Sequence, residues 1–175
     1  ALSPFLAPDD IASGYPDEVH SWPKHAWAAR LARRLDFVNF WSFGFTRNPW
    51  DRMVSSYCWW QQVNKDGWDL DHYRKALEGK SFERYVLDGD WLMTSPTTDF
   101  LFKDGRPIVN FVGRFERLEA DFGVICRTLG LEAKLGRQNS SARGDYRSYY
   151  TRPDMVDMVA DRFRPDIDHF GYSFE

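Results

Sequence analysis

Long apolar runs are missing from this chain. No stretch approaches the ~18 residues that a membrane-spanning helix needs, so no membrane span is expected. A secretory signal pattern is missing as well. Cysteine is scarce: Cys58 and Cys126 each fall in a stretch that reads as helix. They read as buried free thiols rather than a disulfide. That favours a reducing compartment, and so a cytoplasmic setting, or a protein indifferent to redox. The histidines lack a spacing such as His-Glu-x-x-His, and two isolated cysteines do not make a zinc site, so no metal is expected. There is no Ser-centred nucleophile elbow, no Rossmann glycine fingerprint and no internal repeat. Positive charge is not in excess either. The net charge of -3 does not indicate a broad polyanion-binding face, and no nucleic-acid partner is expected. The oligomeric state is not legible.

What is present suits a globular protein. The length of 175 residues fits one domain, with 43% hydrophobic and 28% charged residues. The aromatic share is high at 17%. Trp59, Trp60, Trp68 and Trp91 suit packing first and stacking on sugar rings second.

Residues 1–23 hold Pro4, Pro8, Gly14, Pro16 and Pro23 and read as an irregular arm. Lys24 to Leu35 reads as a helix, and Phe40 to Thr46 as a buried aromatic strand. Pro49 to about Val63 reads as a helix with Met53, Tyr57 and Trp60 at helical spacing. A short helix is possible near Leu70 to Leu77, and another runs from Ser81, as cap, to Leu87. Asp99 to Phe102 and Ile108 to Val112 flank Asp104-Gly105 and read as a hairpin with a loop longer than two residues. Glu116 to Leu129 reads as a helix with a core face of Leu118, Phe122, Ile125 and Leu129, ended by Gly130. Pro153 opens a last helix to about Phe163, carrying Met155, Val156 and Val159. The tail Phe170 to Phe174 is expected to dock on the core. Strands alternating with helices indicate an α/β layer fold. The strands are few for a full doubly wound sheet. A further strand-loop-helix at the N-terminus would repair the deficit, so the sheet is expected to be N-terminally incomplete.

The densest chemistry lies in Phe43-Gly-Phe-Thr-Arg47-Asn-Pro-Trp-Asp51-Arg52. A strand stops at Thr46 and a helix starts at Pro49, with Asn48 as its cap and Arg47 at the junction. A strand that delivers an arginine to a helix N-terminus suits a phosphate or sulfate. The alternative for Arg47 is a salt bridge to Asp51 or another acid. Ser55 or Ser56, one to two turns on, can reach the same anion or simply pack. A second junction, Gly113-Arg114-Phe115-Glu116, repeats the pattern. There Arg114 either faces a ligand or pairs with Glu116 or Asp121. A third cluster runs from Asn139 to Tyr150. Its Arg143 and Arg147 suit phosphate contacts, a closing lid or a solvated loop. His25, with His20 in competition, is the candidate general base. Lys24 is the candidate for balancing charge on a transferred group. Capping or surface roles are the alternative for each.

Arg47-Asn-Pro-Trp-Asp-Arg52-Met-Val-Ser55-Ser-Tyr57 resembles the 3′-phosphate-binding segment of the sulfotransferase superfamily, and most closely that of its carbohydrate-type branch. Phe111 to Phe122, Asn139 to Tyr150, the ending Asp168 to Phe174 and Lys24-His25-Ala also resemble that branch, in compatible order. The resemblance implies a P-loop-like parallel sheet with helices on both faces. It also implies binding of 3′-phosphoadenosine 5′-phosphosulfate (PAPS) and sulfuryl transfer to a hydroxyl or amine of a carbohydrate or small-molecule acceptor. Arg47 and Ser55 would hold the 3′-phosphate, and the Arg143 to Arg147 loop would cover the cofactor or contact the acceptor. One departure stands out. The family's phosphosulfate loop, Pro-Lys-x-Gly-Thr-Ser or a variant, has no match here; Pro23-Lys24-His25-Ala lacks its glycine and hydroxyls. Either the chain is a fragment or half of the site is lost. The competing expectations are therefore a catalytically inactive domain of the same fold, binding a nucleotide, an anion or a protein, and a P-loop kinase-like enzyme, which lacks its own loop as well.

Overall fold

The computed structural model describes residues 41–62, 79–89, 94–136 and 143–175. The arm over residues 1–23, the helices expected at Lys24 to Leu35 and near Leu70 to Leu77, and the side chains of His20, Lys24, His25, Trp68 and Trp91 lie outside the described residues. In chain order the described elements are strand β1 (Phe43–Thr46), helices α1 (Pro49–Gln62), α2 (Phe82–Leu87) and α3 (Thr98–Leu101), strands β2 (Phe102–Lys103), β3 (Arg106–Pro107) and β4 (Phe111–Arg114), a 3-10 turn (Phe115–Arg117), helix α4 (Leu118–Leu129), a second 3-10 turn (Tyr146–Tyr149), and helices α5 (Pro153–Arg162) and α6 (Arg164–Phe170). They make a mixed α/β fold with one small parallel and one small antiparallel sheet. Two compact units divide them. One holds the described residues 41–46 and 108–136; the other holds 47–62, 79–89, 94–107 and 143–175.

In the first unit β1 and β4 pair in parallel, from Phe43 opposite Phe111 to Thr46 opposite Arg114. Asn110 starts the pairing. Its side-chain oxygen accepts from the Ser42 N–H at 2.8 Å, and its own N–H donates to the Ser42 carbonyl at 2.9 Å. Gly113 sits opposite Phe45, whose ring lies over it; a Cβ there would fall 2.5 Å from the ring. The glycine of the second junction thus serves close packing between strands. Gly130, in left-handed conformation at φ 64°, ends α4 as its sequence position predicts. The buried residues of α4 are Asp121, Ile125 and Cys126; of the expected face Ile125 is buried, Leu118 and Phe122 are half-buried and Leu129 is exposed. The cause is local. The Asp121 carboxylate accepts the Arg114 backbone N–H at 2.6 Å and so turns inward one turn before Ile125, while Leu129, at the helix end, stays 39% exposed.

The second unit holds a continuous aromatic core. Trp50, Met53, Val54, Cys58 and Trp60 of α1 pack with Phe82, Tyr85 and Val86 of α2 and with Met155, Val159 and Phe163 of the α5 region. The spacing from Trp50 to Cys58 is the apolar stripe of an amphipathic helix, and each large side chain fully buried there contributes roughly 1.5–3 kcal/mol. Ser81 caps α2 as expected, its hydroxyl accepting from the Arg84 N–H at 3.2 Å. The hairpin differs from expectation. Its strands are only β2 and β3, and its loop is the two-residue turn Asp104-Gly105, with φ of 51° and 73°. Two successive positive φ angles mark a type I′ turn, which needs no longer loop. Residues 99–101 are helical instead, and Phe111–Arg114 pairs with β1. Helix α6 was not anticipated: Pro165 lies in its first turn, where the missing N–H costs nothing. The tail docks as expected. Asn48 donates to the Ser173 carbonyl at 2.9 Å, Tyr146 donates to the Phe174 carbonyl at 2.8 Å, and the Phe174 ring meets Trp50 and Tyr150 edge-on. Cys58 and Cys126 are buried free thiols.

Candidate functional site

The N-terminus of α1, within the second unit, gathers the charged residues that the sequence singles out. Asn48 caps the helix: its side-chain oxygen accepts from the Trp50 and Asp51 N–H groups at 3.1 and 3.3 Å. Pro49 occupies the first turn, where no N–H is required. Asp51 falls in that same turn, on the side of the helix dipole that favours a carboxylate. Trp50 anchors the turn, donating its indole N–H to the Val156 carbonyl at 3.0 Å and accepting at its own carbonyl from the Tyr150 hydroxyl at 3.0 Å. Burial raises the Tyr150 pKa far above the ordinary phenol value, so the hydroxyl stays a donor.

On this frame Arg47 and Asp51 pair as the alternative reading of the residues anticipated. Arg47 Nε and Nη2 each lie 2.7 Å from Asp51 Oδ2, and Nη1 donates to Ser55 Oγ at 2.9 Å. Arg143, 92 residues along the chain, donates from Nη2 to the other carboxylate oxygen of Asp51. One carboxylate thus serves two guanidiniums, which gathers three charges at the start of α1. The side chains of Arg47, Asp51 and Arg143 are 17%, 17% and 13% exposed, so solvent screens those charges less than at an open surface. Among the described residues the remaining N–H groups of Arg143 and the hydroxyl proton of Ser55 have no acceptor. The donor set is guanidinium and hydroxyl at a helix N-terminus, the chemistry that suits a phosphate or sulfate.

Arg52 extends the cluster in a way the sequence did not reveal. It donates to Thr97 Oγ1 at 3.2 Å and lies over the Phe100 ring. Burial lowers its pKa, the Asp166 carboxylate opposes that shift, and Arg47 adds to it. Asp166 is fully buried and accepts three hydrogen bonds, from the Thr97 N–H at 2.6 Å and from the Thr98 N–H and hydroxyl at 2.8 Å each. Nothing local in the sequence couples residues 52 and 166.

The structure brings Arg47, Ser55 and Arg143 together. Arg147 lies on the exposed side of the 3-10 turn, paired with Asp145 at 3.2 Å and stacked on the Tyr146 ring. Arg114 belongs to the first unit, and there Asp121 takes its backbone N–H and the guanidinium of Arg117. Trp60 is buried and packs edge-on with Trp59. Among the described residues no cluster of His, Cys, Asp and Glu could hold a metal, and no helix is long and apolar enough to cross a membrane.

The family model described as "Sulfotransferase family" matches residues 12–173, nearly the whole chain. The chain belongs to the sulfotransferase family. An uncharacterized protein of Archaeoglobus fulgidus is 29% identical over 128 residues, which cover 70% of this sulfotransferase-family chain and 96% of that relative. No solved structure shows significant similarity to the chain.

Proposed function

We propose that this sulfotransferase-family domain binds PAPS, with Arg47, Ser55 and Arg143 around the 3′-phosphate, and transfers the sulfuryl group to a hydroxyl or amine of a carbohydrate or small-molecule acceptor. The observation that carries the reading is the Asp51 carboxylate shared between two guanidiniums. Beside it the remaining N–H groups of Arg143 and the Ser55 hydroxyl proton have no acceptor among the described residues, and a phosphate would take them. Arg47 would serve as the fixed cation, Ser55 would donate its hydroxyl proton to a phosphate oxygen, and Arg143 would supply the second cation. Arg147 and Arg114 are proposed as further cofactor contacts. Lys24, His25 and His20 are proposed for the reacting end: a histidine to take the proton of the acceptor group, and the lysine to balance charge on the transferring group. When bound, PAPS supplies an activated sulfuryl group with a good leaving group. The carbohydrate-type assignment rests on the Arg-Asn-Pro-Trp-Asp-Arg motif and on the spacing of the later motifs. The β1–β4 pair is taken as part of a P-loop-like sheet on the same ground.

A second reading keeps the nucleotide and drops the transfer. It needs only the anion contacts of Arg47, Ser55 and Arg143, none of which is a group that reacts. Sulfur-labelled PAPS, incubated with the protein and a panel of sugars and phenols, separates the two. Label moving to an acceptor supports the transferase. Saturable binding with no transfer to any acceptor supports the inactive domain.

A further inference from the structure

We propose that Asp51 is the positioning residue of this anion site: it strengthens anion binding although it carries the same sign as the ligand. The inference rests on the reading of Arg47, Ser55 and Arg143 given above.

Both carboxylate oxygens of Asp51 are committed. Oδ2 takes the Nε and Nη2 groups of Arg47, at 2.7 Å each, and Oδ1 takes Nη2 of Arg143. Ser55 receives the remaining edge of Arg47 at 2.9 Å, so this guanidinium is held from two sides. Arg143 is different. Among the described residues Asp51 is its one hydrogen-bond acceptor. The segment that follows is anchored to α1 by the Tyr150 hydroxyl on the Trp50 carbonyl at 3.0 Å, but that contact fixes the backbone beyond the 3-10 turn. It does not fix the Arg143 side chain. Without Asp51 no described acceptor would hold the Arg143 side chain, and repulsion would turn it away from Arg47.

Two roles for Asp51 make opposite predictions. A carboxylate that only balances charge opposes an anion, so Asp51→Asn would tighten binding. A carboxylate that positions both guanidiniums pre-organises the site, and Asp51→Asn would weaken binding. The side-chain geometry favours the second role.

Calorimetry with 3′,5′-adenosine bisphosphate at fixed ionic strength tests this on the full chain. Asp51→Asn should bind roughly tenfold or more weakly than the parent, the loss expected when a charge-assisted contact is misaligned. Arg143→Ala should cost a similar factor alone and little more when added to Asp51→Asn, because the second residue acts through the first. Parent-like or tighter binding by Asp51→Asn, or losses that simply multiply in the double variant, would overturn the inference while leaving the nucleotide reading intact. No binding by the parent protein would instead overturn the nucleotide reading and this inference with it. Where Asp51→Asn does not fold, Arg143→Lys keeps the charge and removes the planar fork. Weakening of about threefold or more supports the positioning role, and parent-like affinity refutes it.

Discussion

Asp166→Asn should destabilise the second unit far more than an exposed charge change would. The carboxylate accepts from Thr97 N–H at 2.6 Å through Oδ2, and from the N–H and hydroxyl of Thr98 at 2.8 Å through Oδ1. An amide is nearly the same shape but offers one acceptor oxygen. With that oxygen toward Thr98, the new NH2 group faces the Thr97 N–H, donor against donor. One charge-assisted bond is lost outright, and a buried N–H is left without a partner. Such a loss costs about 1.5–3 kcal/mol. The substitution also removes the negative charge that offsets the burial of Arg52. Breaking one side of a buried charged arrangement costs about 3–5 kcal/mol when the partner is left uncompensated. Arg52 keeps its contact to the Thr97 hydroxyl at 3.2 Å, so the lower part of the combined range is the expectation, roughly 2–3 kcal/mol. Urea unfolding followed by tryptophan fluorescence measures it as a lower midpoint with an unchanged slope. A variant within about 0.5 kcal/mol of the parent, the usual span of surface changes, would refute the account of this node.

Gly113→Ala should cost about 1–3 kcal/mol in the same experiment, since its Cβ would meet the Phe45 ring at 2.5 Å and Asp121 Cβ at 3.2 Å; parent-like stability would show that the ring moves freely. The Asp145 carboxyl is held below its ordinary range, first by the Arg147 backbone N–H and then by the charge and side chain of Arg147 and the charge of Arg143. A carboxylate pKa lowered on folding stabilises the 3-10 turn above the unfolded value of about 3.9, and that contribution is lost as pH falls through the folded value. A carbon-detected NMR titration should therefore place the Asp145 midpoint below that of a free aspartate; a midpoint at or above it contradicts the cap.

The helix ends of both units are written locally. Asn48-Pro49, Ser81 and Gly130 mark helix ends because caps act within one turn, and the structure uses each as read. Ser55 is legible as a second contact to the anion of Arg47, one to two turns into the helix, and Asp51 as the alternative partner of Arg47. The misses are tertiary. The Asp104-Gly105 turn is legible, but the apolar run after it reads as part of the hairpin, whereas Phe111–Arg114 pairs with β1 across a long separation in sequence. The core face of α4 is legible at Ile125 but not at the strand end, where a buried aspartate takes the place of a leucine. Arg143 was a candidate from its loop, yet only the fold shows it on the same carboxylate as Arg47, and Arg52 with Asp166 left no trace in the local pattern.

The central claim is that the α1 N-terminus recognises the 3′-phosphate of an adenine nucleotide. Its most direct test compares the affinity of the parent protein for 3′,5′-adenosine bisphosphate with that for 5′-AMP, and repeats the comparison in Arg47→Ala. The 3′-phosphate should strengthen binding by roughly tenfold or more, as a charge-assisted contact of ~1.5–3 kcal/mol requires, and Arg47→Ala should remove most of that difference. Equal binding of the two nucleotides by the parent, or an undiminished difference in Arg47→Ala, would contradict the account.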